Sequence, residues 1–192
     1  LMIDKNRPEI KFVSPVSGEV TAVNRGEKRK VLSIVVKPDA QIEYEEFGKK
    51  NVASLQGAEV KEVLLNAGMW PFIKQRPYDI VAAPLDTPRD IFVSAFYSAP
   101  LAPNFDFIVK GQEADFQTGL NALAKLTNGK VYVGVRSGSV VSGVKGVEIV
   151  EVEGPHPAAN VGVQINHIKP VNKGEVVWTV NPADVVVIDR LF

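Results

Sequence analysis

The central stretch of the chain reads Asp90-Ile91-Phe92-Val93-Ser94-Ala95-Phe96, and a second stretch reads Lys130-Val131-Tyr132-Val133-Gly134-Val135. Both are rich in apolar, β-branched and aromatic residues, so they predict two buried β-strands. Residues 111–127 predict a helix between them, with an apolar face formed by Phe116, Leu120, Leu123 and Leu126. A strand, a helix and another strand in this order predict an α/β domain with a largely parallel sheet.

Shorter signals extend this domain in both directions. Upstream, Gln56 to Glu59 resembles a capping box, and Gly68 is placed to end the helix that follows. The stretch from Arg76 to Pro88 is rich in proline and is predicted to be irregular. Downstream, further strands are predicted over residues 146–152, 176–180 and 184–188.

Two loops of this domain are expected to border a ligand site. Tyr97–Pro103 and Gly154–Asn160 each follow a predicted strand, and open α/β sheets form binding crevices at the carboxyl ends of their strands. The second loop begins Gly154-Pro155-His156-Pro157, and its prolines stiffen the backbone on both sides of the imidazole. His156 is therefore expected at a fixed position, either as a ligand-binding group or as a local hydrogen-bond partner in a turn.

The beginning of the chain predicts a separate β segment. Three strands are predicted there, over residues 10–13, 18–23 and 31–36. A charged hairpin loop, Asn24–Lys30, joins the last two strands. A segment of this size is too small to bury a core by itself. The chain is therefore divided into a β segment at residues 1–45 and an α/β domain at residues 46–192.

Composition restricts the function further. The 192 residues include 22 basic and 22 acidic side chains, so there is no basic excess of the kind that nucleic-acid binding requires. Cysteine is absent, which excludes disulfides, thiol catalysis and cysteine-held zinc or iron–sulfur clusters in this sequence. No apolar run approaches the roughly 20 residues that span a bilayer. Any link to a membrane is expected to run through a partner.

Motifs of catalysis and nucleotide binding do not occur. No glycine-rich phosphate loop follows the strand that ends at Phe96, and neither GxxxxGK[ST] nor GxSxG is present. His156 and His167 lie near Glu153, but their spacing matches no common metal-ligand motif. No catalytic residue and no metal ligand are therefore assigned. Five aromatic residues are candidates either for the core or for the wall of a flat ligand's site: Trp70, Phe72, Phe92, Phe96 and Trp178.

Several pieces of the chain together resemble one family. They are Phe12-Val13-Ser14-Pro15-Val16-Ser17-Gly18, Arg25-Gly26-Glu27-Lys28-Arg29, Gly154-Pro155-His156-Pro157-Ala158, His167-Ile168-Lys169-Pro170-Val171 and Val177-Trp178-Thr179-Val180. Nearly from end to end, the chain is similar to the NqrA family, which supplies one of the subunits of the sodium-translocating NADH:quinone oxidoreductases. Its first part also resembles half of a barrel-sandwich domain of the biotinyl/lipoyl type, but it lacks the Met-Lys-Met that marks carriers.

The resemblance implies a fold and a role. The expected fold is a partial barrel-sandwich segment followed by a degenerate Rossmann-like α/β domain, in a chain that is a piece of a longer polypeptide. The expected role is that of a peripheral subunit on the cytoplasmic face of the bacterial inner membrane, in a complex that couples electron flow from NADH to quinone with sodium export. Its expected partners are other subunits of that complex. No flavin or iron–sulfur cluster is expected in this chain, and the isolated chain is not expected to be catalytic.

Quinone is the ligand that the resemblance implies. If a quinone docks here, His156 or His167 is expected to donate a hydrogen bond to a carbonyl, and Trp178 or Phe96 is expected to wall the ring. The alternative is a ligand-free docking subunit, which predicts that the loop Gly154–Asn160 is packed shut instead of bordering an open crevice. A nucleotide-dependent oxidoreductase would bind NADH or flavin, and a carrier would hold a modified lysine.

Overall fold

A six-stranded sheet forms the centre of the computed structural model, which describes residues 1–192. The strands are, in chain order, β1 (Met2–Ile3), β2 (Lys11–Phe12), β3 (Gly18–Arg25), β4 (Val31–Pro38), β5 (Lys74–Arg76), β6 (Ile80–Val81), β7 (Ile91–Ser94), β8 (Val131–Val135), β9 (Glu148–Glu151) and β10 (Val177–Thr179). The helices are α1 (Gly57–Asn66), α2 (Phe105–Val109), α3 (Glu113–Ala124), α4 (Val161–Ile168) and α5 (Pro182–Asp189). No helix combines the length and the apolar character that crossing a bilayer requires.

The order in which strands are added to the sheet reverses between the neighbouring strands β7 and β10. Its strand order is β6-β5-β10-β7-β8-β9. From β7 the chain moves outward to β8 and β9, then returns through α4 to β10 on the other side of β7. These four strands are parallel, whereas β5 and β6 continue the sheet as an antiparallel edge. The boundary between β7 and β10 is therefore a topological switch point, and the predicted α/β fold with a largely parallel sheet is confirmed.

Helices cover both faces of the sheet because side chains alternate along each strand. Ile91 and Val93 of β7 belong to the main core, which α3 and α5 cover on one face. Phe92 points to the opposite face, where it packs with Ile165 of α4. Gly119 of α3 is also buried, and its lack of a side chain lets that helix lie very close to α5.

A buried carboxylate joins several segments at the amino ends of the parallel strands. Asp90 precedes β7 and is completely buried. Its side chain forms ion pairs with Arg89 and Lys169, both at 2.7 Å, and accepts a hydrogen bond from the backbone N–H of Lys130 at 3.1 Å. Burial alone would raise the pKa of Asp90, but these hydrogen bonds outweigh it and hold the pKa below its ordinary value. The network joins the starts of β7 and β8 to the end of α4.

Residues 184–188 are helical, so the predicted strand there is wrong. The run of valines is rich in β-branched residues and favours a strand by composition alone. The start signal lies just before it, because the side chain of Asn181 accepts a hydrogen bond from the Ala183 N–H at 3.0 Å and Pro182 occupies the first helical turn. Val185 and Ile188 are buried at helical spacing.

Other short elements have no counterpart in the sequence prediction. α4 lies in a stretch for which no element was predicted, and its preceding residue, Asn160, makes no side-chain cap hydrogen bond. α2 has five residues, too few for a clear apolar period. β5 and β6 form a small hairpin that overlaps the stretch predicted to be irregular. α1 and α3 are confirmed, including a capping box at Gln56 and Glu59.

The N-terminal strands lie outside the six-stranded sheet. β3 and β4 pair with each other in a two-stranded antiparallel ribbon, as predicted, and β1 pairs with β2. The ribbon leaves apolar side chains exposed, namely Val20, Val23, Val31, Leu32 and Val35. By contrast, Ile10 just before β2 is fully buried in the main core and anchors this part of the chain.

Candidate functional site

A large crevice opens at the carboxyl ends of β7 and β10. Its volume is about 980 Å³. The lining residues come from β5 and the turn after it, from the ends of β7 and β10 and the segments that follow them, and from the first turns of α4 and α5. Phe12–Val13 near the N-terminus and the segment after α1, which includes Phe72, complete the lining. The crevice therefore lies at the switch point of the sheet, where open α/β folds bind their ligands.

Apolar side chains form much of the crevice wall. Phe96 follows β7 and is 6% exposed, and the guanidinium carbon of Arg136 lies 5.3 Å from the centre of its ring. Val161 and Val163 belong to the first turn of α4, and Val180 follows β10. An enclosure of this kind suits a ligand with a flat, apolar ring.

Ionisable groups in the crevice come from β5, from Asp79 in the turn after β5, from α5 and from the segment after β7. Lys74 and Arg76 are two residues apart on β5 and so lie on the same face of the strand. Asp184 lies in the first turn of α5, where burial raises the pKa of its carboxyl and the charge of Lys74 offsets part of that rise. Burial also raises the pKa of the Tyr97 phenol, whose hydroxyl donates to Asn181 Oδ1 at 3.3 Å. The crevice thus offers hydrogen-bond donors beside an apolar wall.

The loop Gly154–Asn160 borders the open crevice. The Ser94 hydroxyl at the end of β7 donates to the Ala159 carbonyl at 2.8 Å and accepts from the Gln164 amide at 2.9 Å. Gln164 is buried, so this bridge fixes the second half of the loop against the sheet. Ala159 and Asn160 line the crevice as a result. A closed loop, which the ligand-free alternative predicts, is not what the structure has.

His156 lies beside the crevice and does not line it. Its Nδ1 is 3.3 Å from the Ser98 hydroxyl, and the same hydroxyl accepts a hydrogen bond from the Ala159 N–H at 3.0 Å. The side chain of His156 is otherwise exposed. This geometry corresponds to the local hydrogen-bonding role that the sequence left open as one of two alternatives.

The structure does not bring the four predicted quinone-contacting residues together. Phe96 lines the crevice, and His156 stands at its margin. His167 is exposed in the last turn of α4 and does not reach the crevice. Trp178 is a core residue: it is completely buried, and its ring meets Trp70 edge to face with centroids 5.4 Å apart. The next residue of β10, Thr179, lines the crevice instead, because adjacent strand residues point to opposite faces of the sheet.

Four charged residues of the crevice were missed by sequence reasoning: Lys74, Arg76, Asp79 and Asp184. Lys74 and Arg76 lie at the border of a proline-rich stretch that gave no strand signal. The two basic residues on either side of Gln75 have the spacing of one face of a strand, and this spacing is the signal that could have indicated β5. Asp184 was assigned to a strand. The Asn181-Pro182 start signal would have placed it in the first turn of a helix, at the carboxyl end of a strand.

Both parts of the chain match models of one protein family. Residues 1–39 match the NqrA N-terminal barrel-sandwich hybrid domain, and residues 55–192 match the NqrA second alpha/beta domain. The barrel-sandwich and α/β character expected from the sequence is therefore confirmed. The division at residue 45 remains a prediction.

Relatives with a common name match over the full length of the chain. Proteins named as the A subunits of Na(+)-translocating NADH-quinone reductases are 37% identical in Neisseria meningitidis serogroup A, 36% identical in Yersinia pestis and 39% identical in Hahella chejuensis. Each match covers 100% of this chain and 44% of the relative. The chain thus spans less than half the length of these curated relatives. Since the second-domain model alone matches well over half of its residues, the chain belongs to the NqrA family.

Proposed function

We propose that this chain forms part of the NqrA subunit of a sodium-translocating NADH-quinone reductase and that its crevice takes part in quinone binding. The names of its relatives support the first half of the proposal. The second half is carried by one observation: a roomy crevice with an apolar wall lies open at the switch point of the sheet.

The crevice matches the chemistry of a quinone. A quinone is a flat, apolar ring with two carbonyl oxygens that accept hydrogen bonds. Phe96 and the valines of the crevice offer a surface for the ring, and Lys74 offers N–H donors to a carbonyl oxygen. Trp178 is buried in the core, and His167 lies away from the crevice. Of the four residues predicted from the sequence, the proposed site therefore keeps only Phe96 as a direct contact of the quinone. His156 contributes by holding Ser98 at the margin.

The proposal extends to the surroundings of the chain. We place it as a peripheral component at the cytoplasmic face of the bacterial inner membrane, held there by other subunits of the reductase. It brings no flavin or iron–sulfur cluster of its own, because the segment after β7 is not a glycine-rich phosphate loop and the sequence has no cysteine. An absorbance spectrum of the purified chain without a flavin or cluster band is the expected result.

Calorimetric titration with 1,4-naphthoquinone tests the quinone site. The purified chain is expected to bind it saturably. Phe96→Ala is expected to weaken binding by about tenfold, because the quinone ring loses the apolar surface that packs against it. Phe107→Ala is the matched control, since that phenylalanine is 79% exposed on α2 and does not line the crevice.

A second variant guards against misfolding of the first. Gly162 lines the crevice in the first turn of α4, and a Cβ built there has only Arg76 Nη1 within 4 Å, at 3.7 Å, so Gly162→Leu adds a side chain to the crevice. This variant is also expected to reduce binding. Absence of saturable binding to the wild-type chain, or binding that neither crevice variant changes, would remove the quinone site and leave the ligand-free docking role.

A further inference from the structure

Arg76 differs from Arg89, whose side chain is enclosed to a similar degree. Arg89 donates hydrogen bonds to Asp90, to Glu175 and to two backbone carbonyl oxygens. Arg76 donates none, although its side chain is only 27% exposed and its Nε is buried. Its one charged neighbour is Asp79, at 3.4 Å from Nε, and that side chain is 59% exposed. Arg76 thus lines the crevice with a guanidinium that makes no hydrogen bond within the chain.

A buried donor without a partner is uncommon because it has lost water and gained nothing. Nearly all buried N–H groups in folded proteins are hydrogen-bonded, and an exception calls for an explanation such as a ligand. Arg76 therefore points to an acceptor that belongs in the crevice.

The other charges of the crevice leave Arg76 as the least compensated one. The charge of Lys74 lowers the pKa of Asp184, so Lys74 has an acidic counterpart on α5. Asp79 is in water for most of its surface, and its attraction for Arg76 is correspondingly screened. Gly162 of α4 leaves room beside the guanidinium: a Cβ at that position would stand 3.7 Å from Arg76 Nη1.

We propose that Arg76 binds an ionised oxygen on the ligand, so that the crevice prefers a quinone bearing an ionised hydroxyl group over a neutral quinone. In such an anion the hydroxyl oxygen lies next to a carbonyl oxygen, and a pair of adjacent oxygens matches the two parallel N–H groups of a guanidinium. Phe96 walls the ring in either case. This inference rests on the quinone site proposed above and adds the charge of its ligand.

Two naphthoquinones that differ by one group test the inference. Calorimetry compares 2-hydroxy-1,4-naphthoquinone, which is ionised at neutral pH, with neutral 1,4-naphthoquinone. The wild-type chain is expected to bind the hydroxyquinone about tenfold more tightly or better. In Arg76→Gln the ratio of the two affinities is expected to fall to near one, and in Arg76→Lys, which keeps the charge and loses the fork, to an intermediate value. Arg25→Gln removes a charge from the exposed hairpin and is expected to keep the wild-type ratio.

The outcomes separate the inference from the proposal beneath it. Binding of both quinones by the wild-type chain with a ratio near one would contradict the role of Arg76 and leave the quinone site standing. A strong preference that survives in Arg76→Gln would contradict it as well. If neither compound binds, the quinone site fails and the inference fails with it.

Discussion

Asp90 is the one acidic residue that the fold buries completely. Its two ion-pair partners and its backbone donor come from three separate stretches of the chain, so a single carboxylate holds together the edge of the sheet opposite the crevice. Removing its charge leaves Lys169 and Arg89 facing a neutral amide. At the residue scale the fold is therefore expected to be sensitive to substitution of Asp90.

Asp90→Asn is expected to lower the free energy of unfolding by about 3 kcal/mol, because a buried charge network loses its centre. Urea denaturation followed by circular dichroism measures the change. Glu148→Gln is the control: Glu148 pairs with Lys130 on the surface, where both side chains are about half exposed, and the loss should stay within about 1 kcal/mol. Equal effects of the two substitutions would contradict the structural role of Asp90.

The same carboxylate predicts a dependence on pH. The pKa of Asp90 is lower in the folded chain than in the unfolded chain, so its stabilising contribution is present above the ordinary carboxyl pKa of about 4 and is lost as the pH falls through the lower, folded-state pKa. The difference in unfolding free energy between wild type and Asp90→Asn is therefore expected to shrink as the pH falls from about 5 to about 2. A constant difference over this range would contradict the lowered pKa.

At the scale of elements, α3 and α5 are held together by a glycine. A Cβ on Gly119 would stand 2.0 Å from the backbone carbonyl oxygen of Val185, so the two helices cannot keep their spacing if a side chain is added. Gly119→Ala is expected to destabilise the chain by about 1–3 kcal/mol in urea unfolding, despite the better helix propensity of alanine. Gly143→Ala has open space around it and is expected to be neutral. Stabilisation by Gly119→Ala would show that this contact is looser than described.

The ribbon of β3 and β4 is the element with the least support. Its strands pair only with each other, and most of their residues are exposed on both faces. An isolated two-stranded ribbon is marginally stable in water. Hydrogen–deuterium exchange is therefore expected to be much faster at its amides than at those of β7 and β8. Equal protection of the ribbon amides and the amides of β7 and β8 would contradict the marginal stability expected for the ribbon.

Sequence patterns predicted the elements whose signals are local. The strands β7 and β8 and the helix α3 have strong apolar patterns, and the structure has all three. α5 was mistaken for a strand because its valines favour β structure on average, whereas burial against α3 decides the actual conformation. Element type is thus predictable where periodicity is strong, and not where tertiary contacts override composition.

The candidate site was predictable only in part for a related reason. Its location followed from the rule that strand ends form the crevice, and Phe96 was found in this way. Arg76 and Lys74 come from the antiparallel strand β5, which pairs with β10 about a hundred residues later in the chain. No local pattern reports such a pairing. Trp178, conversely, was placed at the site because a position near a strand end does not say which face a side chain occupies.

At the scale of the whole molecule, one sheet separates two kinds of chemistry. The amino ends of its parallel strands carry the fully paired Asp90 network, and the carboxyl ends carry a crevice whose Arg76 has no hydrogen-bond partner. The first arrangement stabilises the fold. The second arrangement leaves a guanidinium without a hydrogen-bond acceptor in an open crevice. Relatives that match the chain over its full length are named as subunits of NADH-quinone reductases.

Nuclear magnetic resonance of the isotope-labelled chain during titration with 1,4-naphthoquinone tests the quinone site most directly. Binding at the switch point predicts saturable shifts concentrated at the carboxyl edge of the sheet, around Phe96, Val161 and Val180, with the amides beside Asp90 and Val131 unchanged. Shifts confined to the β3–β4 ribbon or to the amino edge, or no saturable shifts at all, would contradict the claim that a quinone binds at the switch point.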